Sequence, residues 1–347
     1  MSSQTYSTGT LKNFCVSVAL KYGIGEKEAH VLADSLLFAD KRNVSSHGIV
    51  RLPLYMEKVD AGIVNLKAEM PFTKNLGAAW LMDAQNGLGQ LAGHKAMQKS
   101  CDLAGQYGIG MVAVSNSNHF GTGAWFSMLA VERGQIGIAM ANASPAIAPF
   151  GTATPLLGTN PLSIAVPAKD RTPIVLDMAM STVARGKIRL SAMKKEKIPL
   201  DWGLDAQGNQ TDDPNEALKG SLVPIGGVKG SALSLIVDLI CGVLTDTSLT
   251  GEVKNITDMS GPSRTGHAFM AVNIENFMTL DKFTGQVDAV INHIKSLTPK
   301  GGSGNIYMAG EIEYNIMRER EQNGILLDDA VVESLNKLAD KTGVPKL

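Results

Sequence analysis

The chain has 347 residues, 44% of them hydrophobic and 19% charged, and its 32 basic side chains nearly cancel 33 acidic ones. This length suits two domains, and the composition excludes a disordered or collagen-like chain. With no basic run beyond Lys194-Lys195-Glu196-Lys197, the footprint of a nucleic-acid binder is missing, so nucleic acid is not an expected partner.

The first ten residues have neither the basic nor the apolar region of a secretory signal. No apolar stretch reaches the ~18 residues a membrane span needs. Leu11, Phe14, Cys15, Val18 and Ala19 recur at helical spacing before Gly23, and Ala29, Leu32, Ala33, Leu36 and Leu37 repeat the pattern, so the first seventy residues read as helical. After Pro71 strands and helices alternate. Strands are expected at Ala79 to Met82, Met111 to Val114, Ile136 to Ala141, Leu162 to Val166, Ile174 to Leu176 and Ala268 to Ile274. Helices are expected at Gly89 to Ala104, Gly123 to Arg133, Lys229 to Leu244 and Leu280 to Ser296. The stretch from Pro299 to Gly304 is linker-like, after which Glu311 to Gln322 and Asp328 to Thr342 return to helix and are expected to pack on the N-terminal helices. Cys15, Cys101 and Cys241 are far apart, odd in number and without a CxxC pair. That argues against disulfides and metal sites and for a cytoplasmic protein without a membrane partner.

Strands alternate with helices, yet no G-x-G-x-x-G joins a strand to a helix, because Gly108-Ile109-Gly110 precedes a strand. Any dinucleotide is therefore held by something other than a Rossmann fold. H-E-x-x-H, G-x-S-x-G and the P-loop pattern are also missing, which removes the usual parts of zinc hydrolysis, serine hydrolysis and ATP chemistry.

Two histidines sit in polar, glycine-containing loops: His47 within Ser45-Ser46-His47-Gly48-Ile49-Val50-Arg51, and His119 within Asn116-Ser117-Asn118-His119-Phe120-Gly121. A loop histidine can take a proton from a hydroxyl and return it to a carbonyl, although many do no more than hydrogen-bond their own loop. Arg51, four residues after His47, can grip a carboxylate through two parallel bonds; a surface ion pair is its ordinary use. Three further glycine loops suit phosphate or ribose: Gly151 with Gly158-Thr159-Asn160-Pro161, Gly226-Gly227-Val228-Lys229-Gly230 opening a helix, and Ala309-Gly310-Glu311. Arg185 could meet a second anionic group or lie idle at the surface.

Taken in order, Ser46-His47-Gly48-Ile49-Val50-Arg51, Asn116-Ser117-Asn118-His119-Phe120-Gly121, Pro149-Phe150-Gly151, Gly158-Thr159-Asn160-Pro161, Leu176-Asp177-Met178-Ala179 and Gly227-Val228-Lys229-Gly230 resemble the malate/L-lactate dehydrogenase family of the non-Rossmann type. Its relatives include sulfolactate, ureidoglycolate and diketogulonate oxidoreductases. The resemblance runs from about Ala29 to about Gly324. It implies an α/β (α+β) fold in which a non-Rossmann NAD(P)-binding domain with a mixed sheet, residues 73–304, joins a helical domain made of residues 1–72 with 305–347.

It further implies hydride transfer between NAD or NADP and C2 of a small 2-keto or 2-hydroxy acid such as malate, lactate or sulfolactate. His119 takes the acid/base role, Arg51 the carboxylate, and Ser46 and His47 are active-site contacts. Ser144, Thr159, Asn160, Asp177, Met178, Ala179, Lys229, Gly310 and Glu311 match cofactor positions. The chain departs from the pattern at Thr152, Val228 and Ala309, where Gly, Pro and Pro are usual. A cyclic imino acid reductase of the same family, or an inert binding protein on the same scaffold, are the alternatives. A homodimer is expected too, both from the resemblance and to cover the apolar faces at Leu11 to Ala19 and Ala29 to Leu37.

Overall fold

The computed structural model describes residues 3–347. Strand β1 (Ser3–Tyr6) leads into α1 (Thr8–Lys21), whose first turn is capped by Ser7 accepting from the Thr10 N–H at 3.0 Å. Helix α2 (Glu26–Lys41) follows, then two 3-10 turns, Ser45–His47 and Ile49–Arg51, that run into α3 (Leu52–Asp60). The apolar stripes expected on α1 and α2 face one another and are buried.

Hairpin β2 (Phe72–Leu76) and β3 (Ala79–Asp83) is followed by α4 (Gly89–Tyr107), β4 (Ile109–Ser117), α5 (Gly123–Val131), β5 (Gln135–Ala141), β6 (Leu162–Val166) and β7 (Ile174–Met178). Helices α6 (Arg185–Lys194) and α7 (Pro214–Lys219), with the two-residue strands β8 (Gly203–Leu204) and β9 (Ser221–Leu222), have no sequence expectation behind them. Next come α8 (Val228–Asp238) with a π-helical turn at Leu239–Val243, β10 (Thr265–Asn273) and α9 (Leu280–Lys295). The chain closes with α10 (Glu311–Asn323), β11 (Ile325–Asp328) and α11 (Asp329–Thr342).

The main sheet has seven strands in the order β2-β3-β4-β10-β5-β6-β7. Only β3 and β4 pair in parallel, with Met82 beside Val114, and every other neighbouring pair is antiparallel. One βαβ crossover in a mostly antiparallel sheet is no doubly wound nucleotide fold, in line with the missing glycine fingerprint. Gly108 closes α4 with a φ of +86°, and the other two residues of Gly108-Ile109-Gly110 begin β4 itself. A Cβ on Gly110 would stand 2.2 Å from the Ser100 carbonyl, so glycine lets α4 press onto the strand it feeds.

The chain ends meet, because β1 pairs antiparallel with β11 from Ser3 opposite Asp328 to Tyr6 opposite Ile325. Leu335, Leu338 and Ala339 of α11 share one core with Leu11, Val18, Leu32 and Leu36. The faces at Leu11 to Ala19 and Ala29 to Leu37 are thus covered within the chain, which removes the physical reason for expecting a partner there. A second core, including Met97, Val112, Phe126 and Phe269, fills the space between the sheet and α4 and α5. Among the described residues no helix is long and apolar enough to cross a membrane, and no cluster of His, Cys, Asp or Glu could hold a metal ion.

Candidate active site

The turn that carries Ser46, His47 and Arg51 is fixed from below by Asp40, near the end of α2. Its carboxylate accepts the Ile49 N–H at 2.7 Å, and a Cβ on Gly48 would fall 1.9 Å from Asp40 Oδ1. Glycine at 48 is therefore a packing requirement: the turn sits directly on the carboxylate. Burial pushes the Asp40 carboxyl up to about 7, against the opposing pull of the Ile49 N–H and Arg320.

So seated, the turn holds His47 and Arg51 half-buried and leaves Ser46 exposed. Arg51 Nε donates to the Ser46 carbonyl at 2.6 Å, which fixes the guanidinium plane and leaves the two terminal nitrogens uncommitted. No described acidic side chain forms an ion pair with Arg51. The Ser46 hydroxyl and His47 Nδ1 share a hydrogen bond of 2.8 Å.

His119 reaches the same place from the end of β4. Its loop is pinned on both sides: Asn118 Nδ2 donates to the carbonyls of Asn86 at 3.1 Å and Gly87 at 2.9 Å, while Phe120 stacks on His267 and on Phe126, each with ring centroids 4.8 Å apart. The His119 ring stacks on His47 at 5.4 Å, and its Nδ1 shares a 2.8 Å hydrogen bond with the Tyr55 hydroxyl. Burial, followed by the nearby His47, Arg51, His267 and Lys58, holds His119 well below the usual histidine range. Burial and then Arg51 push His47 down to about 4. Both rings are accordingly neutral near pH 7 and able to accept a proton.

A cavity of about 250 Å³ is lined by Val44 and Thr122, each three residues from a site histidine in sequence, and by Arg42, Asp177, Gly310 and Glu313 among others; none of Ser46, His47, Arg51 and His119 lines it. Arg42 is 4% exposed, lies over the Phe38 ring at 5.2 Å and donates to the Gly310 carbonyl at 3.3 Å. Asp177 accepts the Ala124 N–H at 3.0 Å, and burial pushes its carboxyl up to about 6. The Thr122 hydroxyl is buried with no hydrogen-bond partner among the described residues. A polar atom left so is one that a ligand can satisfy.

The remaining expected positions differ in what they offer. Lys229 is exposed at the start of α8, just after Gly226 and Gly227 with φ of +60° and +62°, and has no ion pair among the described residues. Ser144 accepts from Asn255 at 3.3 Å, and the Thr159 carbonyl accepts the Met180 N–H at 2.7 Å across the short Met178-Ala179 segment. Two side chains expected against a cofactor are already spent within the protein. Asn160, 0% exposed, donates to Ser234 O and Oγ and accepts the Ala143 N–H; Glu311 pairs with Lys295 at 2.6 Å and accepts the Met308 N–H. These two shape the loops. Arg185 donates to the Leu218 carbonyl at 2.7 Å, at the start of α6, and is absent from the charges acting on His119.

The structure also brings in residues with no sequence signal of their own. Tyr55 and Lys58 lie on the face of α3 that carries on from Arg51, and both are buried. Tyr55 follows Arg51 by four residues and Lys58 follows Tyr55 by three, and this helical spacing is the only hint the sequence gives. Arg42 and Thr122 give none.

The model for malate/L-lactate dehydrogenases matches residues 6–336. The chain belongs to the malate/L-lactate dehydrogenase family. It is 37% identical over 345 residues to a malate dehydrogenase of Pyrococcus abyssi, covering 97% of this chain and 94% of that one. A malate/(S)-sulfolactate dehydrogenase of Methanothermus fervidus is 34% identical over 333 residues, 96% of each chain. Among solved structures, the sulfolactate dehydrogenase of Methanocaldococcus jannaschii superposes with a TM-score of 0.93 at 34% identity over 98% of both chains. In this family member the two loop motifs, far apart in sequence, meet at His47 and His119.

Proposed function

We propose that this dehydrogenase interconverts a small 2-hydroxy acid and its 2-keto acid, of the malate, lactate or sulfolactate kind, with NAD or NADP. The observation that carries the reading is the uncommitted guanidinium edge of Arg51, on the turn whose His47 stacks on a half-buried, neutral His119. Arg51 binds and orients the C1 carboxylate. His119 Nε2 takes the hydroxyl proton during oxidation and returns it to the carbonyl oxygen during reduction. His47 and Ser46 wall the site. A bound carboxylate also offsets the Arg51 charge that depresses His119, so acid binding itself favours proton uptake by the imidazole.

The residues present fit a nicotinamide dinucleotide: the cavity lined by Arg42, Asp177 and Gly310 has an unpartnered Thr122 hydroxyl, and α8 presents its N-terminal N–H groups with Lys229 for a phosphate. Bound there, the nicotinamide supplies the hydride acceptor or donor. Asp177, Met178, Ala179 and Gly310 line its path, with Ser144 and Thr159 nearby. The division into residues 1–72 with 305–347 and residues 73–304 has its support in the first core, whose buried members lie at 11–64 and 325–344, with Leu88 alone coming from the other part.

Initial rates with NADH and NADPH against oxaloacetate, pyruvate, sulfopyruvate and a cyclic imine test the reaction class. Turnover of a 2-keto acid is expected. Turnover of the imine alone, or of nothing on the panel despite cofactor binding, overturns the reading.

The chain also acts as a homodimer. Val228, Ile236, Leu239 and Val243 are 40–56% exposed along α8 and its π-helical turn, an apolar stripe that a second copy would cover. An obligate interface buries more than ~2,000 Å². Light scattering at low micromolar concentration should give twice the 36.8 kDa of one chain, and a mass near 36.8 kDa overturns the dimer.

A further inference from the structure

We propose that Asp40 is the positioning residue of the substrate clamp: reaching across from α2, its carboxyl group caps the turn that carries Arg51, and the bare backbone at Gly48 is what admits it. The inference rests on the reading of Arg51 as the carboxylate clamp given above.

Asp40 stands where a helix least favours it. It lies in the last turn of α2, the negative end of that helix, and is 1% exposed. The dipole and the loss of hydration both disfavour an acid there. What offsets this lies at the start of a different helix. The turn Ile49–Arg51 runs directly into α3, and its N-cap residue is Gly48, which has no side chain to accept from the N–H groups that begin a helix. Asp40 Oδ2 takes that part from outside, accepting the Ile49 N–H at 2.7 Å. Asp40 is itself anchored from α10, where Arg320 donates to its backbone carbonyl and, at 2.6 Å, to Asn43 Oδ1.

Gly48 shows how closely the two parts are matched. Its φ of −86° is open to any residue, so the backbone does not call for glycine. The space does. A Cβ at 48 would lie 1.9 Å from Asp40 Oδ1, 2.1 Å from Cγ and 2.4 Å from Oδ2, whereas ordinary contact begins near 3.4 Å. All three nearest atoms belong to the one carboxyl group, so that group alone excludes a side chain.

Arg51 lies three residues further along, with Nε fixed to the Ser46 carbonyl. Moving the turn by an ångström therefore moves the guanidinium edge with it. His119 does not follow, because its loop is held separately by Asn118 on Asn86 and Gly87.

Gly48→Ala is expected to raise KM for the 2-keto acid about 10–100-fold, the order lost when a binding group is misplaced by an ångström, with the loss falling on KM more than on kcat and cofactor affinity unchanged. Asp40→Ala, which uncaps the turn, should raise KM about tenfold, and Asp40→Asn, whose amide oxygen still accepts from Ile49, should stay within about threefold of the wild type. The decisive variant is the pair. With the carboxyl group gone the new methyl has room, so Gly48→Ala should add nothing in the Asp40→Ala background. A merely structural role would lower cofactor affinity along with activity, and its losses would add in the pair.

Steady-state kinetics, with cofactor affinity measured by fluorescence, read all four variants. Wild-type KM in Gly48→Ala, a loss confined to kcat, Asp40→Asn as poor as Asp40→Ala, or full additivity in the pair overturns the inference. If Asp40→Ala does not fold, seen as lost cofactor binding, Gly48→Ala and Asp40→Asn carry the test by their KM values. Normal kcat/KM in Arg51→Ala fails the underlying reading instead, so the two failures are told apart.

Discussion

Replacing His119 with Ala is expected to lower kcat by about 10²–10⁴-fold, the usual yield of general acid–base catalysis, while cofactor affinity changes little. On the proposed mechanism the loss falls on kcat because the imidazole is the proton acceptor, while the carboxylate that sets much of substrate affinity is held by Arg51. Folding should survive: the loop is held by Asn118 on Asn86 and Gly87 and by the Phe120 stack, with His119 itself contributing the bond to Tyr55.

The pH dependence carries a sign. Oxidation requires neutral His119, and burial with the surrounding cations puts its pKa well below 6.5. In the oxidative direction kcat/KM for the wild type should therefore not begin to fall through an ordinary histidine pKa as the pH drops from 8 toward 6.5. Near-normal kcat in His119→Ala, or an acid limb centred near 6.5 that disappears with His47 and not with His119, would move the proton-transfer role to another residue.

How far the sequence shows this architecture varies with the range of the interaction that decides each part. Leu162 to Val166 is legible as a strand because its alternation is local, and β6 has those bounds. The helical stripes on α1 and α2 are legible for the same reason. Strand β1 is not, since Ser3 to Tyr6 is polar and becomes a strand only by pairing with β11 more than three hundred residues away. The insertion of β10 between β4 and β5 is equally invisible, because strand order is a property of the whole sheet.

The site divides along the same line. His119 and the turn from Ser46 to Arg51 announce themselves as polar residues among glycines in loops. Tyr55 reads like any core aromatic on a helix, and its bond to His119 exists only because the loop after β4 meets α3 there. Arg42, near the end of a surface helix in the sequence, turns out to be buried against Phe38 and Gly310. Asn160 shows the converse: a polar loop residue with the right neighbours in sequence whose amide is consumed in holding α8 to the loop before it.

The second large effect concerns Arg51, where charge and shape can be separated. Nε is tied to the Ser46 carbonyl, so the two terminal nitrogens form a fixed edge that meets a planar carboxylate through two parallel bonds. Each charge-assisted bond contributes about 1.5–3 kcal/mol, so Arg51→Ala should lower kcat/KM for the 2-keto acid by roughly 10²–10⁴-fold. Arg51→Lys keeps the charge but replaces the fork with a flexible point donor that cannot also anchor on Ser46, and it should recover no more than about one order of magnitude of that loss. The same lysine variant should bind the nicotinamide cofactor normally, because the clamp acts on the substrate. Steady-state kinetics on both variants, with cofactor affinity measured by fluorescence, decide the matter. Wild-type kcat/KM in Arg51→Lys means that charge alone suffices and the two-bond clamp is wrong, whereas a loss confined to cofactor affinity places Arg51 on the other ligand.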